Sequence, residues 1–386
     1  MRRIAVALIS TLIFSLSTPA FAAESTFTVM SRNIYIGTDV TVAMKKIPNL
    51  PAAAQFMWDQ VAKTDFSKRS LILAQEITEA DADVIGLQEA TTWYCKEGVF
   101  GKKVKVLDFT HQLLKALNNQ YVIAQKGKSI AYNPGFSINP IPLLTKVNDA
   151  KTFKPIFDQN SASCGFETGD ALLIKRSLAS QVEAVGNVDY QATYSIIPVL
   201  MKITRGYTWA DIKMNGTKTR FVTTHLEAIW DENKVPNSAL QANQLIADLK
   251  SISYPIVVIG DFNADPRDPR PANSLNPGEQ PSASAACPAN SEICNAYKLM
   301  LQANFTNASP DATNPLNFTW GMNALLTGPD SGRDIAAMKM GNSQGFTARL
   351  DYIFIKNGLQ SKSSKIIGTK APYGSDHAGV VATISK

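Results

Sequence analysis

Two of the three histidines in this 386-residue chain stand at the ends of apolar, strand-like runs. His377 follows Ser375 and Asp376 and opens the run 378–384, while His225 closes the run 220–224. Between them the run 255–259 ends in Gly260-Asp261-Phe262-Asn263, which sets an acid and an amide two residues apart. Imidazole moves protons near neutral pH, and a neighbouring carboxylate raises its basicity. Imidazoles and carboxylates fixed at a sheet edge are what metal-assisted hydrolysis of a phosphate ester needs.

Two more strand-like runs end in oxygen-bearing side chains: 83–87 leads into Gln88-Glu89, and 27–31 into Arg32-Asn33. One carboxylate with an amide and a nearby aspartate suffices for Mg²⁺, which takes oxygen ligands and keeps several waters. Each residue also has a plainer role open to it. Glu89 fits a solvated strand cap, Asp261 and Asn263 a turn, His225 a capped core histidine, and Asp376-His377 a salt-bridged strand start. Their recurrence at five strand ends favours chemistry. A turn needs no unbroken Ile/Val run before it, whereas in-line attack does need rigid placement. His111 falls inside a helical pattern and reads as structural or solvent-facing. Segment 127–135 lacks a phosphate-cradling glycine pattern, so no nucleotide-binding loop is expected.

The elements that must position these residues are six buried strands, at 27–31, 84–87, 171–174, 221–224, 256–259 and 350–355. Helical periodicity covers 66–80, with Ser67 as the expected N-cap, and 238–249, capped by Ser238. A third helix is expected over 107–117. Strands and helices alternate, which predicts an α/β layered fold with polar loops gathered at one sheet edge. The aperiodic stretches 126–163 and 264–295 read as surface insertions over or beside the cleft.

The start of the chain, Met1-Arg2-Arg3, an apolar stretch over 4–16 and Ala20-Phe21-Ala22, has the form of an export signal spanning 1–22. Residues 23–386 then form one domain, secreted or periplasmic, without a transmembrane segment and monomeric. Loss of Arg2 and Arg3 takes the formal charge from +6 to +4. That excess suits an anionic substrate and excludes a nucleic-acid-coating tail. Four cysteines in an exported chain predict disulfides. Local closure favours Cys287–Cys294 and leaves Cys95–Cys164. A zinc site is the weaker reading, since no C-x-x-C pair occurs. Asn215, Asn304, Asn307 and Asn317 open glycosylation triplets.

Taken in order, Asn33, Leu87-Gln88-Glu89, Thr224-His225-Leu226, Gly260-Asp261-Phe262-Asn263, Leu350-Asp351-Tyr352-Ile353 and Ser375-Asp376-His377 resemble the endonuclease/exonuclease/phosphatase superfamily, the deoxyribonuclease I-like group. The resemblance runs from about residue 27 to 384. It implies a four-layered α/β/β/α sandwich of two packed mixed sheets and a cleft that uses Mg²⁺, with Mn²⁺ or Ca²⁺ as alternatives. By position, Glu89 resembles the principal metal ligand, with Asn33 and Asp376 nearby. Asp351 resembles the carboxylate that orients His377, and His225 the histidine that contacts phosphate or donates a proton. Asp261 is similar to the residue that polarises the attacking water, and Asn263 to a phosphate-orienting amide. The letters leave open which of Asp261 and His377 is the base. Asp170, in Gly169-Asp170-Ala171, reads first as a turn residue and second as one that approaches the cleft, and no carboxylate partner for His225 stands out.

Substrate follows less directly. A tryptophan before the Gly-Asp-x-Asn step and a Pro-x-Trp-Cys-Asp-Arg stretch are absent, which argues against phosphoinositides. The expected activity is an endonuclease or exonuclease acting on nucleic acid. The alternative is a sphingomyelinase-like phosphodiesterase acting on a phospholipid head group. A non-catalytic binding protein on the same fold is disfavoured, because no matched position holds an inert residue.

Overall fold

A computed structural model describes residues 25–97, 101–138, 162–197, 201–228, 237–266, 295–321 and 345–386. The expected signal segment 1–22, the expected Cys287–Cys294 pair and most of the two expected insertions lie outside them. The main strands are β1 (Thr26–Asn33), β2 (Val84–Glu97), β3 (Val104–Asp108), β4 (Tyr121–Ile123), β5 (Tyr132–Ile138), β6 (Ala162–Lys175), β7 (Val182–Asp189), β8 (Gly206–Met214), β9 (Thr217–His225), β10 (Ile256–Asp261), β11 (Thr306–Asn307), β12 (Asp351–Lys356), β13 (Gln360–Ile367) and β14 (Gly379–Ser385). The helices are α1 (Val40–Met44), α2 (Leu50–Thr64), α3 (Phe66–Ala80), α4 (Phe109–Ala116), α5 (Asn237–Leu249) and α6 (Ala296–Gln302).

Two mixed sheets carry the fold. The first has the order β13-β14-β1-β2-β6-β4, with β3 paired to β2 and β5 to β6; the second runs β11-β12-β10-β9-β8-β7. Within each, the central pair is parallel, β1 with β2 and β9 with β10, and the flanking pairs are antiparallel. Both faces of the central strands are covered, so these segments read as unbroken apolar runs. One core lies between the sheets and includes Val29, Val84, Leu172, Phe221, Val257, Ile259 and Val380. A second sets α2, α3 and α4 on the first sheet, through Trp58, Phe66, Leu73, Ile77 and Phe109. A third sets α5 and α6 on the second sheet, through Leu245, Leu299, Phe262 and Phe354. The expected four layers are present. At Gly86 the sheets approach so closely that a Cβ would lie 2.6 Å from Thr223 Oγ1 and 2.7 Å from Ile259 Cγ2. Only glycine fits there.

Helix α3 spans the predicted 66–80, but its N-cap is Asp65, in the left-handed region and without a side-chain cap bond, rather than Ser67. Its buried residues Phe66, Arg69, Ser70, Leu73 and Ile77 follow the three-and-four spacing of one helix face. Leu73 and Ile77 are fully buried, and burying each contributes roughly 1.5–3 kcal/mol. Asp81 ends the helix by donating its backbone N–H to Ile77 and Thr78 carbonyls. Helix α5 already includes Asn237, so Ser238 lies inside it and is not its cap. The third helix starts later than expected. Leu107 pairs within β3, and Asp108 caps α4 by accepting from His111 N at 2.9 Å. His111 is solvent-exposed, as expected.

Part of the aperiodic stretch 126–163 proves ordered: β5 pairs with β6, which starts at Ala162. Cys95 and Cys164 face each other directly in the β2–β6 ladder and form the predicted disulfide. Among the described residues no helix is long and apolar enough to cross a membrane.

Candidate active site

His225, Asp261 and Asp351 occupy one rung across three neighbouring strands of the second sheet, since His225 registers with Asp261 and Asp261 with Asp351. Gly260 makes the rung possible. A Cβ there would lie 2.2 Å from the Thr224 carbonyl oxygen, so glycine alone lets β10 approach β9 so closely before Asp261. Phe262 turns into the core against Tyr352 and Phe354. Asn263, at φ 47°, then closes the strand end. Its N–H donates to Asp261 Oδ1 at 2.9 Å and its Nδ2 to the Leu226 carbonyl at 2.7 Å.

The facing edge of the first sheet brings up Asn33, Glu89, Asp376 and His377. Glu89 does not end its strand, as the sequence suggested. It sits at a bulge in β2, where the pairing with β6 slips between Leu87 and Ala90. Its φ of 58° is unusual for glutamate. The extra residue turns Glu89 out of the ladder and toward the cleft. Its Oε2 accepts from Ile36 N and its Oε1 from Asn33 Nδ2, the latter at 3.2 Å. Asn33 is oriented by Tyr35 N–H, which donates to Oδ1 at 2.9 Å. Its Nδ2 therefore faces the acids, donating to Asp261 Oδ2 at 3.1 Å and lying 3.4 Å from His377 Nε2. This amide joins the two sheets' contributions.

Both imidazoles reach the same oxygen. His225 Nε2 lies 3.5 Å and His377 Nε2 3.6 Å from Asp261 Oδ2. On its far side His377 Nδ1 is 2.9 Å from Asp351 Oδ2. Asp376 and Ser375 hold the approach to His377, whose N–H donates to Ser375 Oγ at 3.2 Å. All eight residues singled out in the sequence are buried or nearly so, and the structure brings them to one cleft.

Burial acts on these groups in opposite ways. For His377, desolvation disfavours the cation, yet Asp351, Asp261 and Asp376 overcome it and hold the imidazolium up to about 10. His225 is pushed well below its usual range by burial, with Arg205 and His377 adding to the effect. Asp261 rises to about 7 through burial and the Asp351 charge, opposed by His377 and by donors from Asn263 and Asn33. The two histidines thus differ in charge at neutral pH.

Asp170 is the functional candidate that sequence reasoning undervalued. It is buried within β6, opposite the Glu89 bulge, and is no turn residue. Burial pushes its carboxyl well up, while Arg205 and the His225 backbone N–H pull the other way. The carboxylate that reaches the His225 ring is Asp261, while Asp170 meets the His225 backbone N–H. Arg205 Nε pairs with buried Glu227 at 3.1 Å. No local signal marked Arg205 or Glu227, which precede and follow strands without a shared motif.

The sequence pattern of the Endonuclease/Exonuclease/phosphatase family matches residues 60–377. The chain belongs to that family. The named activities of the family all break phosphoester bonds. Among curated proteins none matches. Solved structures similar to this chain include the Bacteroides thetaiotaomicron mannosyl-6-phosphatase, at 14% identity and TM-score 0.47, covering 93% of this chain and 100% of that one. A family protein from Leptotrichia buccalis shows 15% identity and TM-score 0.48, with 92% and 98% covered. A humanized D. rerio TDP2 shows 13% identity and TM-score 0.44, with 94% and 99% covered.

Proposed function

We propose that this protein is an exported phosphodiester hydrolase that uses a divalent cation and acts on the nucleic-acid backbone. The carrying observation is the convergence of Glu89 and both imidazoles on one buried cluster, bridged by Asn33 and Asp261. A mildly basic chain suits a polyanionic substrate.

The donor set fits a hard cation. Glu89, Asp261, Asp351, Asp376 and Asp170 crowd into a buried space, and Asp351 Oδ1 and Asp170 Oδ1 have no hydrogen-bond partner. Asp261, Asp351 and His377 place ligand-type atoms within 4.8 Å of one another. Two of those three share a direct hydrogen bond, however, so we assign them to proton handling and assign the ion to Glu89, with Asp376 and Asn33 beside it. Because the Asn33 oxygen already accepts from Tyr35 N, its contribution is to hold Glu89 in place. Oxygen ligands of this kind suit Mg²⁺, with Mn²⁺ and Ca²⁺ as alternatives. When bound, the cation supplies charge neutralisation at a phosphoryl oxygen.

The chain's own groups then divide the work. His377, charged and braced by Asp351, donates to a non-bridging oxygen and stabilises the charge that develops there. Its bracing hydrogen bond and its charge leave Asp261 as the base that takes a proton from water. Asp170, whose carboxyl burial biases toward the protonated form, is the group assigned to give a proton to the leaving oxygen, and His225, kept neutral by burial, is assigned to phosphate contact. An apolar pocket lined by Val40, Met44, Met57, Trp93 and Phe166 favours a second reading, a phospholipid phosphodiesterase. Trp93 lies four residues beyond Glu89 on β2, about 13 Å along the strand.

Incubation of the purified protein with plasmid DNA, RNA and sphingomyelin, with Mg²⁺ and with EDTA, decides among these. Cleavage of nucleic acid that EDTA stops is expected. Cleavage of sphingomyelin alone selects the second reading, and cleavage of none under any divalent ion rejects both.

A further inference from the structure

Arg69 is a fully buried guanidinium whose partners are carbonyls. Nε donates to Thr64 O at 3.1 Å, Nη1 to Ile34 O at 2.7 Å and to Gly374 O at 3.0 Å, and Nη2 to Tyr35 O at 3.2 Å. Its flat faces meet the rings of Phe66 and Tyr35, 4.8 and 5.3 Å from the guanidinium carbon. One side chain thus ties the end of α2, the turn after β1 and the segment before Ser375. Seven residues along the same face of α3, Glu76 anchors a second buried arginine. Arg32 Nε and Nη2 each lie 2.8 Å from Glu76 Oε2, and Arg32 Nη1 donates to the carbonyls of His377 and Asn33.

Both clamps join the same two pieces of chain. The first piece, 33–36, carries Asn33 and the Ile36 N–H that holds Glu89; the second, 374–377, carries Asp376 and His377. Residues 34–36 and 374–376 lie outside the strands, and Tyr35 has a φ of 60°. Such a backbone persists only where its surroundings fix it. A buried arginine is a costly way to fill space, since an apolar side chain of similar volume packs without desolvating a charge. What it offers instead is a rigid fork that reaches several acceptors at once, which lysine cannot do.

We infer that Arg69 and the Arg32–Glu76 pair are positioning residues. Helix α3 uses them to fix the spacing between the 33–36 turn and the 374–377 segment, and so the spacing of the side chains proposed to hold the cation. The part concerning the cation rests on the proposed function; the clamp itself does not.

The test compares wild type with Arg69→Met, Arg69→Lys and Glu76→Gln, with Ile77→Ala as a control from the same helix face. Amide exchange read by mass spectrometry reports on the clamp without any metal. Exchange in peptides covering 33–38 and 373–378 is expected to quicken about tenfold in the clamp variants while 256–261 stays protected. Mn²⁺ titration calorimetry is expected to show affinity falling about 10- to 100-fold in the same variants. Ile77→Ala should lower the melting temperature and leave Mn²⁺ affinity unchanged. Should Arg69→Met not fold, Arg69→Lys and Glu76→Gln carry the comparison. Unchanged exchange in 33–38 and 373–378, or a loss of Mn²⁺ affinity in Ile77→Ala equal to that in Arg69→Lys, overturns the inference. If wild type binds no Mn²⁺, the proposed cation site fails, and the exchange data still decide the clamp.

Discussion

The two sides of the cleft are built by different means. On the second sheet, His225, Asp261 and Asp351 sit on consecutive strands in regular register, and the ladder alone aligns them. On the first sheet, Glu89 needs a bulge and a positive φ, the turn at Tyr35 another, and Asp376 a segment outside the strands. The regular side holds Asp261, the proposed base, and Asp351, which braces His377, where tenths of an ångström govern hydrogen bonding. The irregular side holds Glu89 and Asp376, assigned to a cation whose shell water completes, together with His377, which reaches across to Asp351. A ladder gives precision, and loops allow carboxylates to gather where no strand geometry would place them.

The largest expected effects test that division. Replacing His377 by Ala should lower the rate of ester hydrolysis by about 10²- to 10⁴-fold with Mn²⁺ binding preserved, as read by steady-state kinetics and calorimetry. Loss of cation binding in that variant would show that proton handling and cation holding are not separate tasks. Glu89→Ala should abolish turnover through the opposite route, with Mn²⁺ affinity lost and melting temperature near wild type. Retained affinity in that variant would place the ion elsewhere. The rung also predicts a stability effect. Gly260→Ala must push a methyl group into the Thr224 carbonyl, and urea unfolding should show a loss of about 1–3 kcal/mol.

Protonation gives a subtler test. Asp261, raised to about 7, must lose its proton to act as base, so activity should climb as pH rises toward and through 7. His377, held up to about 10, must keep its proton, so activity should fall again as pH approaches 10. Asp351→Asn removes the charge that most raises His377 and also raises Asp261. It should therefore move both limbs to lower pH, and limbs that stay in place would show that other groups titrate. Smallest is the link between the sheets. Gln88 Nε2 donates to Thr223 Oγ1 at 2.9 Å, and Thr223→Val should cost about 1 kcal/mol, because one amide N–H loses its acceptor while the other bond, to the Gly86 carbonyl, remains.

Much of this architecture could be read from letters, because burial writes itself as composition. The run 256–259 is apolar on both faces because both faces are covered, and the Gly-Asp-x-Asn step after it marks where the strand leaves the core. Helix 66–80 was legible through its spacing, and Cys95–Cys164 through local closure of the other pair. Caps were less legible. Asp65 in the left-handed region and Asn237 inside α5 are settled by how each chain segment enters its helix, which local propensity does not encode.

The amino-acid sequence by itself determined which side chains are candidates for the site, the apolar runs that deliver them and the family to which the chain belongs. Tertiary structure alone decided that Asp170 is a buried member of the site, that Glu89 stands on a bulge within a long strand, and that Arg32 and Arg69 bind distant carbonyls. The physical reason is range. Periodicity and strand ends arise from contacts a few residues apart, whereas the charge state of a carboxylate and the aim of a guanidinium depend on segments that meet only when the two sheets close.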